Sequence, residues 1–392
     1  MMRRFFAPRE IDYDWGALEA LKRVSGKKAL IVTDPLVQKL DHVSTVEAML
    51  KANGIETSVF NKTEADPSRE TVIKIATLAN EFQPDLFIAV GGGSSIDASK
   101  AAWAFYENPK LAAMPLSDAS RAVRRTSFRQ KARLIAIPTT SGTGAEVTSG
   151  ALITDRQVDP PFKVFLMSAD MAPDIAIIDP ELASTMPPSV TANTGCDALV
   201  HSVECFLLTP PSDIVDGLAI KAANTILTWL PKAVANGKDR TAREKMHTAA
   251  TIAGLAFSNG RLDLVHACAH QIEVAFNIAH GRACALMLSH VLAYVFPFVA
   301  PRAGELAAAL GFQAANEKEA MEKLIVALEQ VKKEVGIPAS IKEMGIVDEA
   351  TFRAKLDAMA ANTLASCAPG PTPKDVKRLF VKAWEGAPVE VI

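Results

Sequence analysis

"LFIAVGGGSSIDASKAAWAF", residues 86–105, passes from an unbroken apolar run into three glycines and two serines, and then into a pattern of helical period. A run that is apolar at every position, not every second one, predicts a strand covered on both faces, as in a parallel sheet. Gly91, Gly92 and Gly93 then predict a tight turn whose backbone N–H groups open a helix, a geometry that suits an anion. Ile96 stands where the GxGxxG fingerprint has its third glycine, and the stretch is no Walker loop. The glycines alone therefore leave phosphate binding and an ordinary tight turn both open.

Working outward, the same alternation recurs. "ALIVTD" (29–34), "TSVFN" (57–61), "RLIAIPTT" (133–140) and "IAIIDP" (175–180) are separated by stretches of helical period. This predicts an α/β N-terminal domain, residues 1–185, with a Rossmann-like parallel sheet. After Pro187 and Pro188 the chain turns to Ala- and Leu-rich patterns such as "GLAIKAANTILTWLPKAV". A second, all-α domain is expected over residues 186–392. A chain of 392 residues also exceeds what one hydrophobic core ordinarily holds.

Two further strand ends join the glycine turn. "IPTTSGTGAEVTSG" supplies Thr139, Thr140, Ser141, Gly142, Thr143 and Gly144, so two donor-rich turns are expected where open α/β sheets place ligands. "ALIVTDPL" ends in Asp34, which either accepts hydrogen bonds from a ribose and repels a 2′-phosphate, favouring NAD over NADP, or simply forms the turn before Pro35.

Composition excludes several classes. Lys plus Arg (42) nearly cancels Asp plus Glu (44), which gives no polyanion or nucleic-acid footprint. Five cysteines without a CxxC pair suggest neither a disulfide framework nor a thiolate zinc site, and fit a reducing cytoplasm. The N-terminal "MMRRFFAPREIDYD" lacks the apolar core of a secretory signal. "ACALMLSHVLAYVFPFVA" (283–300) is apolar enough to raise a membrane span, but His290 and Pro297 argue for a buried core helix.

The second domain carries candidate metal ligands. Asp197 and His201, four apart in a helical pattern, present a carboxylate and an imidazole on one face, a pairing suited to iron, zinc or nickel, or to a plain surface interaction. "VHACAHQIEVAFNIAHG" (265–281) holds His266, His270 and His280. The first two share the i, i+4 spacing of a zincin, but Ala267 stands where HExxH needs its glutamate base. Spacing does not place His280, which precedes Gly281. Cys196, Cys205, Cys268 and His290 are read as core.

Together "GGGSSIDASK", "IPTTSGTGAEVT", "TGCDALVHSVE" and "VHACAHQIEVAFNIAHG" resemble, in order and spacing, the iron-containing (group III) alcohol dehydrogenases, including members of the lactaldehyde reductase and 1,2-propanediol oxidoreductase type. The resemblance spans about residues 20 to 345 and implies the two-domain architecture shared with dehydroquinate synthase. It implies that Asp197, His201, His266 and His280 hold a divalent metal, usually ferrous iron and sometimes zinc. His270 matches a histidine beside the nicotinamide. Gly92, Gly93, Ser94 and Asp97 match the pyrophosphate and ribose turn, Thr139, Thr140 and Thr143 the second cofactor loop, and Lys163 a cofactor-contacting lysine. Asp34 matches the acidic residue of NAD-preferring members. Members are commonly dimers or larger homo-oligomers, and the implied partner is a small aldehyde or alcohol, with no nucleic acid and no membrane.

Departures from the family pattern fall at Arg261 and Asp263, where glycine is frequent, at Ala279, where proline is frequent, and at Gly150, where some members carry a cofactor-touching asparagine. They predict altered substrate preference, not lost activity. Arg261 suits either an anionic short aldehyde, such as sulfoacetaldehyde or phosphonoacetaldehyde, or a surface pair with Asp263. The expected reaction is NAD(H)-linked interconversion of a short-chain aldehyde and a primary alcohol. A dehydroquinate synthase-like lyase and a non-catalytic metal- or nucleotide-binding protein are the rivals.

Overall fold

A computed structural model describes residues 4–158 and 161–391; residues 1–3 of the N-terminal stretch weighed above as a secretory signal lie outside the described residues. Two compact units are present, Met1–Thr185 and Met186–Ile392.

The first unit runs β1 (Glu10–Tyr13), β2 (Lys28–Val32), α1 (Asp41–Ala52), β3 (Glu56–Phe60), α2 (Arg69–Phe82), β4 (Leu86–Gly91), α3 (Gly93–Glu107), α4 (Leu116–Ala122), β5 (Arg133–Pro138), β6 (Gly150–Asp155), β7 (Phe162–Met167), β8 (Ile175–Ile178) and α5 (Pro180–Ala183). Six strands form one sheet in the order β1-β8-β5-β4-β2-β3, parallel at every pairing. Its strands read as continuous apolar runs because both faces are covered. Leu30, Val32, Phe87, Ala89, Leu134 and Ala136 pack with Val72, Ile75, Ile96 and Trp103 of α2 and α3. On the other face Ile31, Ile88, Val90 and Ile137 pack with Val43, Val46 and Leu50 of α1.

The order reverses between β2 and β4, since after β2 the chain builds out to β3 on one side and then to β4, β5 and β8 on the other. Such a switch point opens a crevice at the strands' C-terminal ends, and Asp34 and Gly91 follow or end the two strands that flank it. Two features were not anticipated from sequence. Strand β1 adds a polar edge beside β8, with Glu10 opposite Ile175. Strands β6 and β7 form a separate antiparallel pair.

The second unit is helical throughout its described residues, from α6 (Pro188–Leu208) through α7 (Asp213–Ala235), α8 (Arg240–Asn259), α9 (Leu264–Phe276), α10 (His280–Ala309), α11 (Glu317–Glu334) and α12 (Glu349–Ser366) to α13 (Pro373–Glu385). Pro188 occupies the first turn of α6, where its missing N–H costs nothing. The 30-residue α10 is long and apolar enough to cross a membrane by length and composition, yet 72% of its most apolar window is buried inside the structure. Leu286, Leu288, Val291 and Leu292 belong to the core that α6 to α9 share.

Candidate functional site

In the first unit the two donor-rich turns meet. Gly92 caps α3 in extended conformation and has no side chain of its own to cover the first N–H groups of a 15-residue helix. A Cβ on Gly93 would lie 2.6 Å from Thr143 Cγ2, and one on Gly92 3.3 Å from Thr140 Cγ2. Only glycine lets α3 approach the second loop this closely. The Thr139 N–H donates to Gly91 O at 3.0 Å, continuing the ladder of β4 and β5 past their ends.

Asp34 performs the turn role with one oxygen and reaches the glycine turn with the other. Its Oδ1 accepts from the Leu36 and Val37 N–H groups at 2.8 and 3.0 Å. Its Oδ2 accepts from Ser95 Oγ at 3.3 Å, beside the glycine turn. Asp97 accepts from the Leu152 N–H at 2.9 Å, and burial raises its carboxyl to about 6 against the pull of Lys100. Lys100 itself is fully buried and donates to Thr148 O, Thr148 Oγ1 and Gly150 O, tying α3 to the second loop; burial lowers it to about 8. Lys163 pairs with Asp66 at 2.5 Å. Gly150 is pinned under Phe165, whose Cζ would lie 2.2 Å from an added Cβ, so an asparagine there would displace the ring.

The helical unit gathers the metal candidates from three helices. Asp197 Oδ1 on α6 lies 3.6 Å from His201 Nε2 one turn along, 3.9 Å from His266 Nε2 on α9 and 3.5 Å from His280 Nε2 on α10. Gly281 makes the last contact attainable, because α10 abuts α6 so tightly that an added Cβ would stand 1.9 Å from Asn193 O. His201 stacks between Phe257 (4.3 Å) and His266 (4.8 Å). His270 lies on the face of the His280 ring at 5.1 Å between centroids, farther from His266 at 6.4 Å.

Two glutamates that the sequence reading missed orient this set. Glu204 accepts from His266 Nδ1 at 2.5 Å and from the Val265 N–H at 2.7 Å. Glu273 meets His280 Nδ1 at 3.0 Å. Both leave Nε2 as the atom facing Asp197, the usual support for a ligating imidazole. Seven-residue spacing was the available signal, since Glu204 follows Asp197 and Glu273 follows His266 by two helical turns. Burial pulls the His266 imidazole down, but Cys284 and Glu204 outweigh it and hold it up to about 10.

Donors bound to one divalent ion at about 2.1 Å stand about 3.4 Å apart at a tetrahedral angle. The three separations around Asp197 Oδ1 sit close to that value. Asp197 Oδ1 and His266 Nε2 are also buried without a hydrogen-bond partner among the described residues, a costly state that a cation relieves. The residues fit a divalent metal. In Asp197, His266, His280 and Cys284 all ligand atoms lie within 4.8 Å of one another, so a thiol that the sequence reading passed over joins the group. Arg261 is half exposed and pairs with Asp263 at 3.2 Å.

Comparison with known proteins agrees with both halves. Residues 8–180 match the family described as iron-containing alcohol dehydrogenase, and residues 191–384 match the C-terminal region of the Fe-containing alcohol dehydrogenase family. An NADPH-dependent butanol dehydrogenase of Clostridium saccharobutylicum is 38% identical over 99% of this chain and 100% of its own length. An iron-containing alcohol dehydrogenase from Thermococcus thioreducens superposes with a TM-score of 0.85 at 33% identity, over 98% of this chain and 100% of that one. A sulfoacetaldehyde reductase from Bifidobacterium kashiwanohense, solved with NAD+, gives 0.83 at 26% identity, over 98% and 99%. Sequence, fold and the buried carboxylate–imidazole cluster thus agree that the chain belongs to the iron-containing alcohol dehydrogenase family, a family of NAD(P)-linked oxidoreductases.

Proposed function

We propose that this chain reduces a short, uncharged aldehyde to the primary alcohol, and runs the reverse oxidation, with NADH preferred over NADPH. The observation that carries the reading is the convergence of three imidazole Nε2 atoms, within 3.5 to 3.9 Å, on one buried carboxylate oxygen. Asp197, His201, His266 and His280 would hold ferrous iron, or zinc in its place. Bound there, the ion would supply Lewis-acid polarisation of the carbonyl, and a dihydronicotinamide would supply the hydride.

The chain's own residues supply position and charge. Glu204 and Glu273 fix the tautomers of His266 and His280, so both present Nε2. Gly92, Gly93, Ser94 and Asp97 would cradle the pyrophosphate and ribose, with Thr139, Thr140, Thr143 and Lys163 alongside. Asp34 supports the NAD preference, because its Oδ2 reaches the glycine turn while Oδ1 caps the backbone. His270, partly exposed beside His280, is assigned to the nicotinamide and to carrying the alcohol proton.

Arg261 argues for an uncharged substrate. Its guanidinium is already countered by Asp263, so a substrate sulfonate or phosphonate would have to compete with a carboxylate held in place by the Ala368 N–H at 2.7 Å. The test is NADH- and NADPH-dependent reduction of neutral and anionic aldehydes of two to four carbons, before and after Arg261→Ala. Neutral aldehydes should be preferred and unaffected by the substitution. A preference for anionic aldehydes that Arg261→Ala abolishes would overturn the assignment.

A further inference from the structure

We propose that Cys284 is a metal donor in this centre, so that the chain offers a thiolate beside its carboxylate and imidazoles and holds zinc more tightly, relative to ferrous iron, than it would without the thiol. The proposal rests on the metal reading above and extends it. Cys284 lies one helical turn after His280 on α10, which puts both side chains on one face at the point where Gly281 brings the helix against α6. Its Sγ is 3.5 Å from His280 Nε2. Sulfur at about 2.3 Å and nitrogen at about 2.1 Å from one ion stand about 3.6 Å apart at a tetrahedral angle.

The second observation concerns the atoms around the thiol. Asp197 Oδ1 and His266 Nε2 are buried, lack hydrogen-bond partners among the described residues, and belong with Cys284 to the set whose ligand atoms lie within 4.8 Å of one another. Position alone separates this thiol from the others. Cys196, Cys205 and Cys268 are equally buried but stand outside that set. His201 reaches Asp197 from the same helix at 3.6 Å, so His201 and Cys284 offer a hard–soft choice for the remaining coordination position. Thiolate ligands favour zinc and cobalt over harder choices, and imidazole and carboxylate accept either class.

The test is spectroscopic and uses the whole chain. Metal-free protein is loaded with cobalt(II), and the near-ultraviolet sulfur-to-cobalt charge-transfer band is recorded for the wild type, Cys284→Ser, Cys284→Ala and Cys196→Ala. The wild type and Cys196→Ala should show the band. Both Cys284 variants should lose it while still binding one cobalt per chain, and zinc should lose roughly tenfold or more of its advantage over ferrous iron in competition. Persistence of the band in Cys284→Ala, its loss in Cys196→Ala, or cobalt bound to the wild type without a band would overturn the thiolate assignment and leave the metal site standing. A wild-type chain that binds no cobalt, zinc or iron would instead overturn the metal reading on which this assignment rests.

Discussion

Replacing Gly281 by alanine should cost the protein its metal before it costs the fold. The added Cβ would sit 1.9 Å from Asn193 O and 3.0 Å from Asp197 Cβ. A relaxed carbon–oxygen contact needs about 3.3 Å, so α10 must retreat from α6 by about 1.4 Å. Taken along the His280–Asp197 line, that retreat carries His280 Nε2 from 3.5 Å to as much as about 4.9 Å from Asp197 Oδ1. Two donors at about 2.1 Å from one ion span at most about 4.2 Å, even on opposite sides of it, so the ion must release one of them. Loss of an orienting neighbour already weakens a site by about 10- to 100-fold, and loss of a ligand should exceed the upper figure. Overpacking of this kind destabilises by about 1–3 kcal/mol, a fall of roughly 2–10 °C in Tm for a unit of this size. The assay is metal content by elemental analysis after dialysis against a zinc buffer series, with thermal unfolding followed with and without zinc. Gly304→Ala is the control on the same helix, because its Cβ would meet only Glu317 Cγ at an ordinary 3.5 Å. One zinc per Gly281→Ala chain at wild-type affinity would refute the reasoning.

Three other outcomes are expected. Glu204→Gln, which replaces the carboxylate holding His266 Nδ1, should weaken zinc affinity about 10- to 100-fold, and an unchanged dissociation constant would remove Glu204 from the supporting role. Asp34→Ser keeps a capping oxygen for the turn but removes the charge; the NADPH-to-NADH ratio of kcat/KM should rise about tenfold or more, equivalent to about 1.4 kcal/mol, and a constant ratio would reject Asp34 as the selector. Burial, with Arg243 nearby, lowers buried His247 to about 4 from the usual 6.5. The unfolded chain therefore takes up the proton first, so the stability His247 contributes is complete above about pH 6.5 and is lost as the pH falls toward 4, up to roughly 3 kcal/mol. His247→Gln should flatten the decline in urea midpoint between pH 7 and 5, and an unchanged slope would discount the residue.

The sheet was readable where burial on both faces wrote apolar residues at every position, as in Phe87–Val90 and Leu134–Ile137. It was unreadable where pairing alone makes a strand. Glu10–Tyr13 is polar at its ends and becomes β1 only beside β8. The β6–β7 pair hid just after the second turn, whose glycines and threonines drew the cofactor reading, and Phe162, Phe165 and Met167 of β7 stay exposed. At the metal cluster, helical spacing linked Asp197 to His201, but nothing local links either to His280. That proximity is a tertiary event created by the Gly281–Asn193 contact, and family resemblance alone pointed to it. Glu204, Glu273 and Cys284 carried a usable signal in their seven- and four-residue offsets from the ligand candidates. Such offsets gain meaning only once the faces of α6, α9 and α10 are known to converge.

The central claim is that this chain reduces an aldehyde with NADH only when Asp197 and the histidines around it hold a divalent ion. It is tested most directly by purifying the chain anaerobically, stripping the metal, and restoring ferrous iron or zinc in steps while NADH oxidation is followed with a short neutral aldehyde. Activity should be absent in the stripped protein, rise in proportion to bound metal, and stop rising at one ion per chain. Full activity without metal, or activity that rises without reference to bound ion, would contradict the account.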